Sequence, residues 1–208
     1  MIKNFLRHKN PIVIFIIVIF TIFISSCQKH TPKTYFLHQE YKNQTTPIKK
    51  VAVLPFANKT RKIDAGLITT YIFISELHNK TEFEVANLGD VNEVLVDNLI
   101  RVKDTIDFKT AKILGEKLGV EAIFIGEVLR FEEHQNEDKE TIPELCVCVH
   151  LFHIKSGKTL WMSQHEHSGD DYKVIFDIGQ EVSSVRLTQN LFSEMLKTLN
   201  NETRKGKR

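Results

Sequence analysis

The sequence predicts an α/β fold: one domain with a mixed β-sheet and flanking helices, set behind an apolar N-terminal segment and a short polar tether. Three observations predict it. Short β-rich apolar runs alternate with helical periodicities between Lys50 and Leu199. Two late strands are separated by Ser156-Gly157, a two-residue hairpin signal. A run of 13 residues, Ile12–Ile24, is apolar except for Thr21 and follows a basic start.

Composition bounds the answer. The chain has 208 residues, 42% hydrophobic and 26% charged, which suits one ordinary globular domain with appendages. Three Cys cannot staple a fold, so stability must come from a packed core. The net charge of +2 includes Lys3, Arg7 and Lys9, which stand among 26 residues without an acid. Without those three, 25 of the 28 basic residues face 26 acidic ones. That balance leaves no electrostatic footprint for nucleic acid.

Residues 1–26 run basic, apolar, then small, the order of a secretory signal peptide. As a helix the apolar run would span roughly 20 Å, short of the roughly 30 Å hydrocarbon core, which argues against an uncleaved anchor. Ile24-Ser25-Ser26-Cys27 resembles the lipobox of bacterial lipoproteins. The resemblance implies that the Cys27 thiol takes a diacylglyceryl group, that cleavage falls before it, and that the new amine is acylated with a palmitate-type chain. The rivals are the uncleaved anchor and a free Cys27. Two or three chains would hold the protein at a membrane almost irreversibly, at about 0.8 kcal/mol per buried CH₂. In enterobacterial lipoproteins an Asp after the Cys signals retention at the inner membrane; Gln28 stands there, so the resemblance implies the outer membrane, facing the periplasm, over the inner membrane.

Residues 27–49 read as the lipidated N-terminus and a tether, polar with Pro32 and Pro47. Tyr35-Phe36-Leu37 is the stretch within it able to dock on the domain. The domain is expected over residues 50–199. Lys50–Phe56 is a buried strand ended by Pro55. Asp64 caps a helix from Ala65 to His78 with Leu67, Ile68, Tyr71, Ile72 and Ser75 on one stripe. Glu82–Leu88 alternates as a strand. Asp90 to Glu93 is a capping pattern for a helix with Val91, Val94, Leu95 and Leu99 on one face. Asp107 caps a third helix bearing Phe108, Ala111, Leu114 and Leu118, closed by Gly119. Ala122–Val128 is a buried strand, and Glu132–Glu140 an acidic hairpin loop. Strands Leu145–Ile154 and Thr159–His167 follow. The last helix, Gln180–Leu199, sets Val182, Val185, Phe192, Met195, Leu196 and Leu199 together. Residues 200–208 are a basic tail.

Four blocks in this domain carry a resemblance: VAVLPFAN (Val51–Asn58), FEVANLGDVNEVLVD (Phe83–Asp97), LGVEAIFIGEVLRFE (Leu118–Glu132) and HIKSGKTLWMSQHEHSG (His153–Gly169). In that order behind a lipobox they resemble the superfamily of bacterial envelope lipoproteins that includes the curli secretion protein CsgG and the penicillin-binding-protein activator LpoB. The N-terminal domain of TolB-like proteins shares that fold. The resemblance implies a non-enzymatic role in assembling or regulating the cell envelope. CsgG-like pores carry membrane-spanning hairpins, whereas the longest connection here, Glu132–Glu140, is charged and cannot face lipid. LpoB-like activators carry a long Pro-rich tether, and this one is short.

Chemical motifs are few. Ser156-Gly157-Lys158-Thr159 ends like a P-loop but has Phe152 where the first Gly belongs, and a strand rather than a helix after it. With Ser156-Gly157 as the turn, Cys148 faces His165 and Cys146 faces His167, all on one side of the hairpin with Phe152 and Trp161. These four are candidate zinc ligands. Strand neighbours two apart are about 6.6 Å apart, too wide for an easy four-ligand site. The plainer reading is an outer face with Cys as small hydrophobes and free thiols. Phe152 and Trp161 are the candidate interface, unless the last helix covers them. The reading is therefore a lipid-anchored envelope module that binds a protein partner, with no catalytic residues, cofactor or metal. The rivals are a subunit of an oligomeric envelope ring, for which a homo-oligomer is compatible, and a metal-binding envelope protein.

Overall fold

The computed structural model describes residues 33–38, 48–101, 106–136, 139–173 and 179–205. The chain divides into two units, Met1–His30 and Thr31–Arg208, and the described residues all belong to the second. The expected signal peptide and Cys27 lie outside them. Among the described residues no helix is long and apolar enough to cross a membrane.

The strands are β1 (Lys33–Leu37), β2 (Lys50–Val53), β3 (Ala57–Asn58), β4 (Glu84–Val85), β5 (Ala122–Gln135), β6 (Thr141–His153) and β7 (Lys158–Ser168). The helices are α1 (Ala65–Lys80), α2 (Leu88–Asp97), α3 (Phe108–Leu118) and α4 (Ser184–Lys205), with a 3-10 turn at Gly169–Tyr172. One mixed sheet runs β1-β7-β6-β5-β2-β4, with β3 beside β5. The β5–β2, β2–β4 and β3–β5 pairs are parallel and the others antiparallel. The α/β fold with flanking helices is as the sequence predicts.

Each face of the sheet has its own core. On the first, α1 and α4 bury Phe56, Phe73, Phe124, Trp161 and Phe192 with Val51, Val53, Val147, Val149 and Leu151. Phe73 sits at the centre, with ring centroids 5.0 Å from Phe192 and 5.3 Å from both Phe56 and Phe124. On the second face, α2 and α3 bury Ala52, Leu54, Val91, Leu95, Ala111, Leu114 and Ile123. Alternation along β2 explains the division: Val51 and Val53 face one core, Ala52 the other.

Several local expectations are corrected. Five residues of the expected tether form β1, an edge strand on β7. In α1 the buried stripe is Ala65, Gly66, Thr69, Thr70, Phe73, Glu76 and Leu77, while Leu67 and Tyr71 are exposed. The hydroxyls of Thr69 and Thr70 are satisfied by the carbonyls of Ala65 and Gly66, which lets polar residues occupy the buried stripe. Asp64 precedes α1 but its side chain makes no capping bond. Helix α2 starts three residues earlier than Asp90 indicates, capped by Asn87, whose side chain accepts from the Gly89 N–H at 2.7 Å. That shortens the expected second strand to Glu84–Val85. Leu99 lies beyond α2 at φ 54° and is 90% exposed. Strand β5 runs on to Gln135, into the first four residues of the expected Glu132–Glu140 loop, and β6 begins just past that loop at Thr141. The last helix starts at Ser184, with Val182 and Val185 exposed and Leu187 and Leu191 taking the core positions. Asp107 and Gly119 act as expected: Asp107 accepts from Thr110 N–H at 2.8 Å, and Gly119 is left-handed at φ 61°.

Candidate functional site

The site arises from one extra residue. The β6–β7 turn spans Ile154–Gly157, so His153 pairs with Lys158, and Phe152 with Thr159. The next pair is Leu151 with Trp161. Leu160 is therefore a β-bulge, and beyond it every β7 side chain points to the opposite face. Cys148 pairs with Gln164 and Cys146 with Glu166, while His165 stands opposite Val147 and His167 opposite Leu145.

This corrects the sequence reading of Cys146, Cys148, His165 and His167 as one row. The cysteines lie on the second face and the histidines on the first. Phe152 and Trp161 are separated in the same way, Phe152 packing against the second core and Trp161 lying fully buried in the first. They form no common patch. The last helix covers Trp161, whose indole Nε1 donates to Thr198 Oγ1 at 3.0 Å.

Past the bulge, Trp161, Ser163, His165 and His167 form an inward row, none more than 3% exposed. Helix α4 lies over this row and brings Glu194 to its end. Glu194 Oε2 is 3.4 Å from His167 Nε2 and 2.5 Å from Lys33 Nζ of β1. Lys33 stands opposite His165 in the β1–β7 register. His167 Nδ1 shares a 2.9 Å hydrogen bond with the Tyr172 hydroxyl. The two imidazoles stack at 6.2 Å with an 11° interplanar angle.

The row is under-satisfied. Among the described residues, Ser163 Oγ, both ring nitrogens of His165, and His167 Nε2 are buried without a satisfying hydrogen bond; the 3.4 Å approach of Glu194 to His167 is of ion-pair range. A buried polar atom left unpaired costs about 1–3 kcal/mol. Burial, then the neighbouring His167 and Lys33, pushes the His165 imidazole down to about 4. Burial likewise lowers His167 against the pull of Glu194. Burial acts to raise the Glu194 carboxyl, but the Lys33 hydrogen bond, His167 and the Lys33 charge outweigh it and hold it below the ordinary value. Both imidazoles are thus neutral at pH 7, beside an ionised carboxylate. One ligand atom from each of His165, His167 and Glu194 lies within 4.8 Å of the others. Two imidazoles and a carboxylate suit a divalent transition metal.

Sequence reasoning missed Glu194. The available signal was its helical spacing between Leu191 and Thr198, on the side of α4 that meets β7.

On the second face the cysteines are free and buried. The Arg130–Glu166 ion pair crosses β6 at Cys146, the residue both stand opposite. Cys148 Sγ lies 3.3 Å from His150 Nε2. Outward from there, among the described residues, no core forms: His150 and Met162 are half-buried, and Gln164 and Phe36 are exposed.

No protein-family model matches this chain, and no characterised protein matches it in sequence. Solved structures do match. The PelC dodecamer from Paraburkholderia phytofirmans is 16% identical at TM-score 0.52, covering 82% of this chain and 97% of that one. Lipoprotein GNA1162 from Neisseria meningitidis is 14% identical at TM-score 0.52, covering 74% of this chain and 99% of that one. The LpoB C-terminal domain from Escherichia coli is 12% identical at TM-score 0.42, covering 57% of this chain and 82% of that one. The chain shares its fold with PelC and with lipoprotein GNA1162.

Proposed function

We propose that the chain is a lipid-anchored, non-enzymatic module of the bacterial envelope in the CsgG/LpoB-like group. It is held through Cys27 at the periplasmic face of the outer membrane and binds a protein partner in envelope assembly or regulation. The observation that carries this reading is a lipobox-like Ile24-Ser25-Ser26-Cys27 in front of a domain that shares its fold with a lipoprotein. The binding surface that fits it is the second face of the β1-β7-β6 region, where Phe36, His150, Met162 and Gln164 are half-buried or exposed. A mixed apolar and polar sheet face is suited to another protein surface.

A subunit of an oligomeric ring is the second reading, favoured by the likeness to PelC, which is a dodecamer. Expression of the full chain in bacteria with an alkyne-tagged fatty acid tests the anchor. Wild type is expected to be labelled and cleaved, and Cys27→Ala to remain an unlabelled precursor. Equal labelling of both overturns the lipoprotein reading. A photo-crosslinking side chain placed at Gln164 in intact cells separates the two roles: adducts to a different protein support the partner module, and ladders in multiples of the chain mass support the ring.

A further inference from the structure

We propose that His165, His167 and Glu194 form a binding site for one divalent transition-metal ion of the zinc class, and that Lys33 competes with the ion for the Glu194 carboxylate. The site is independent of the lipid anchor and of the outer sheet face.

The geometry is close to that of a bound ion. Zinc bonds of about 2.0–2.1 Å in a tetrahedron set neighbouring ligand atoms about 3.4 Å apart. His167 Nε2 and Glu194 Oε2 are already 3.4 Å apart. The remaining separations are at most 4.8 Å, so His165 has to close by about 1.4 Å at most, a side-chain rotation.

The hydrogen bonding around the site also fits. In the tautomer whose Nδ1–H donates to the Tyr172 hydroxyl, His167 Nε2 is free to coordinate an ion, and such an outer hydrogen bond orients metal-binding histidines. His165 is 2% exposed and neither of its nitrogens has a hydrogen-bond partner among the described residues, so coordination would satisfy a buried polar group. Three protein ligands leave a fourth position for water. Cys146 and Cys148 point to the other face and take no part.

Lys33 gives the site a second property. Its ammonium sits on the same oxygen, Glu194 Oε2, that faces His167. An ion bound there meets a positive charge at close range and displaces it. Because Lys33 belongs to β1, ion binding is coupled to the docking of the strand that leads back toward the N-terminus.

The test uses the full chain in detergent, stripped with EDTA and titrated with Zn²⁺ against a chromophoric chelator. One ion per chain is expected. Glu194→Gln, nearly isosteric and on a half-buried residue, should weaken binding at least about tenfold, as should His167→Gln. The Cys146→Ser/Cys148→Ser double variant should bind as wild type, and Lys33→Met should bind several-fold more tightly. Co²⁺ in place of zinc should show d–d bands without thiolate charge transfer. Thermal melts of each variant confirm that it is folded. Absence of binding in wild type, unchanged affinity in folded Glu194→Gln, or loss of binding with the cysteines would overturn the site.

Discussion

Trp161 donates its indole N–H to the hydroxyl of Thr198 across 3.0 Å, joining β7 to α4 inside the larger core. The indole is fully buried and packs edge-on to Phe124 with centroids 6.3 Å apart. Thr198 in turn donates to the Met195 carbonyl at 2.7 Å. Trp161→Ala should therefore destabilise the fold by roughly 3–5 kcal/mol. Thr198→Val, which keeps the shape and strands the indole N–H, should cost about 1–3 kcal/mol. Urea melts of both variants check the pair. A Trp161→Ala protein as stable as wild type would contradict the burial of β7 under α4.

Gly126 is where β5 yields to a ring. A Cβ there would lie 2.5 Å from three ring atoms of Phe56. That ring is wedged against Phe73 and Phe192, so it has nowhere to go. Gly126→Ala should lose about 1–3 kcal/mol by overpacking. Gly119→Ala makes a useful contrast: it has no neighbour within 4 Å but sits at φ 61°. Its loss should be about 1 kcal/mol, from backbone strain alone. Circular dichroism should show unchanged secondary structure in both, with the larger drop in melting temperature for Gly126→Ala.

The buried thiols should be slow. Burial pushes the Cys148 thiol up to about 11, helped by Glu127 and Cys146. At pH 8 that leaves about one thiolate in a thousand, and the thiolate is the reactive form. Burial and then Glu166 raise Cys146 as well. Iodoacetamide at pH 8, followed by peptide mass mapping, should modify both thiols far more slowly in the native protein than in urea. Glu166→Ala removes a charge that opposes the Cys146 thiolate and breaks the ion pair across it. Alkylation of Cys146 should then accelerate more than that of Cys148. Equal native and unfolded rates would contradict the burial.

Much of this fold was legible because the strands and two of the caps are local. Lys50–Val53, Ala122–Val128 and the β6–β7 hairpin stand where their apolar runs put them, and Asp107 and Gly119 bound α3 as their side chains require. What was not legible depended on single residues with long-range consequences. The bulge at Leu160 was hidden because Leu160, Trp161 and Met162 are all apolar, so the pattern does not tell which neighbours share a face; Leu160 and Trp161 both lie in the first core. It nevertheless moved His165 and His167 to the other face and broke up the proposed quartet with Cys146 and Cys148. In α1, Leu67 and Tyr71 looked like core, yet Thr69 and Thr70 are inside because their hydroxyls bond back along the helix. Strand β1 was hidden because an edge strand on β7 needs only one satisfied side, and polar Lys33 and Thr34 are tolerated there.

Glu121 fixes the entry of β2, and its acid titration gives the last prediction. Its Oε2 accepts the backbone N–H groups of Lys49 at 2.6 Å and Lys50 at 3.1 Å. Those two bonds, Lys49's first, hold its carboxyl below the ordinary 4.5 against a small opposing effect of burial. The unfolded chain releases these N–H groups, so its carboxyl returns to the ordinary value. In the interval between the two values the unfolded state binds more protons, and stability rises with pH there. The contribution of Glu121 is therefore complete above about pH 4.5 and is lost as pH falls through the folded value. Glu121→Gln removes the charge and keeps one acceptor oxygen. Its urea midpoint should fall below that of wild type at pH 7, and the gap should narrow at acid pH, as the wild-type carboxyl takes up its proton. A gap of the same size at both pH values would mean that Glu121 acts through its shape alone, and that the charged hydrogen bonds to Lys49 and Lys50 do not hold β2 in place.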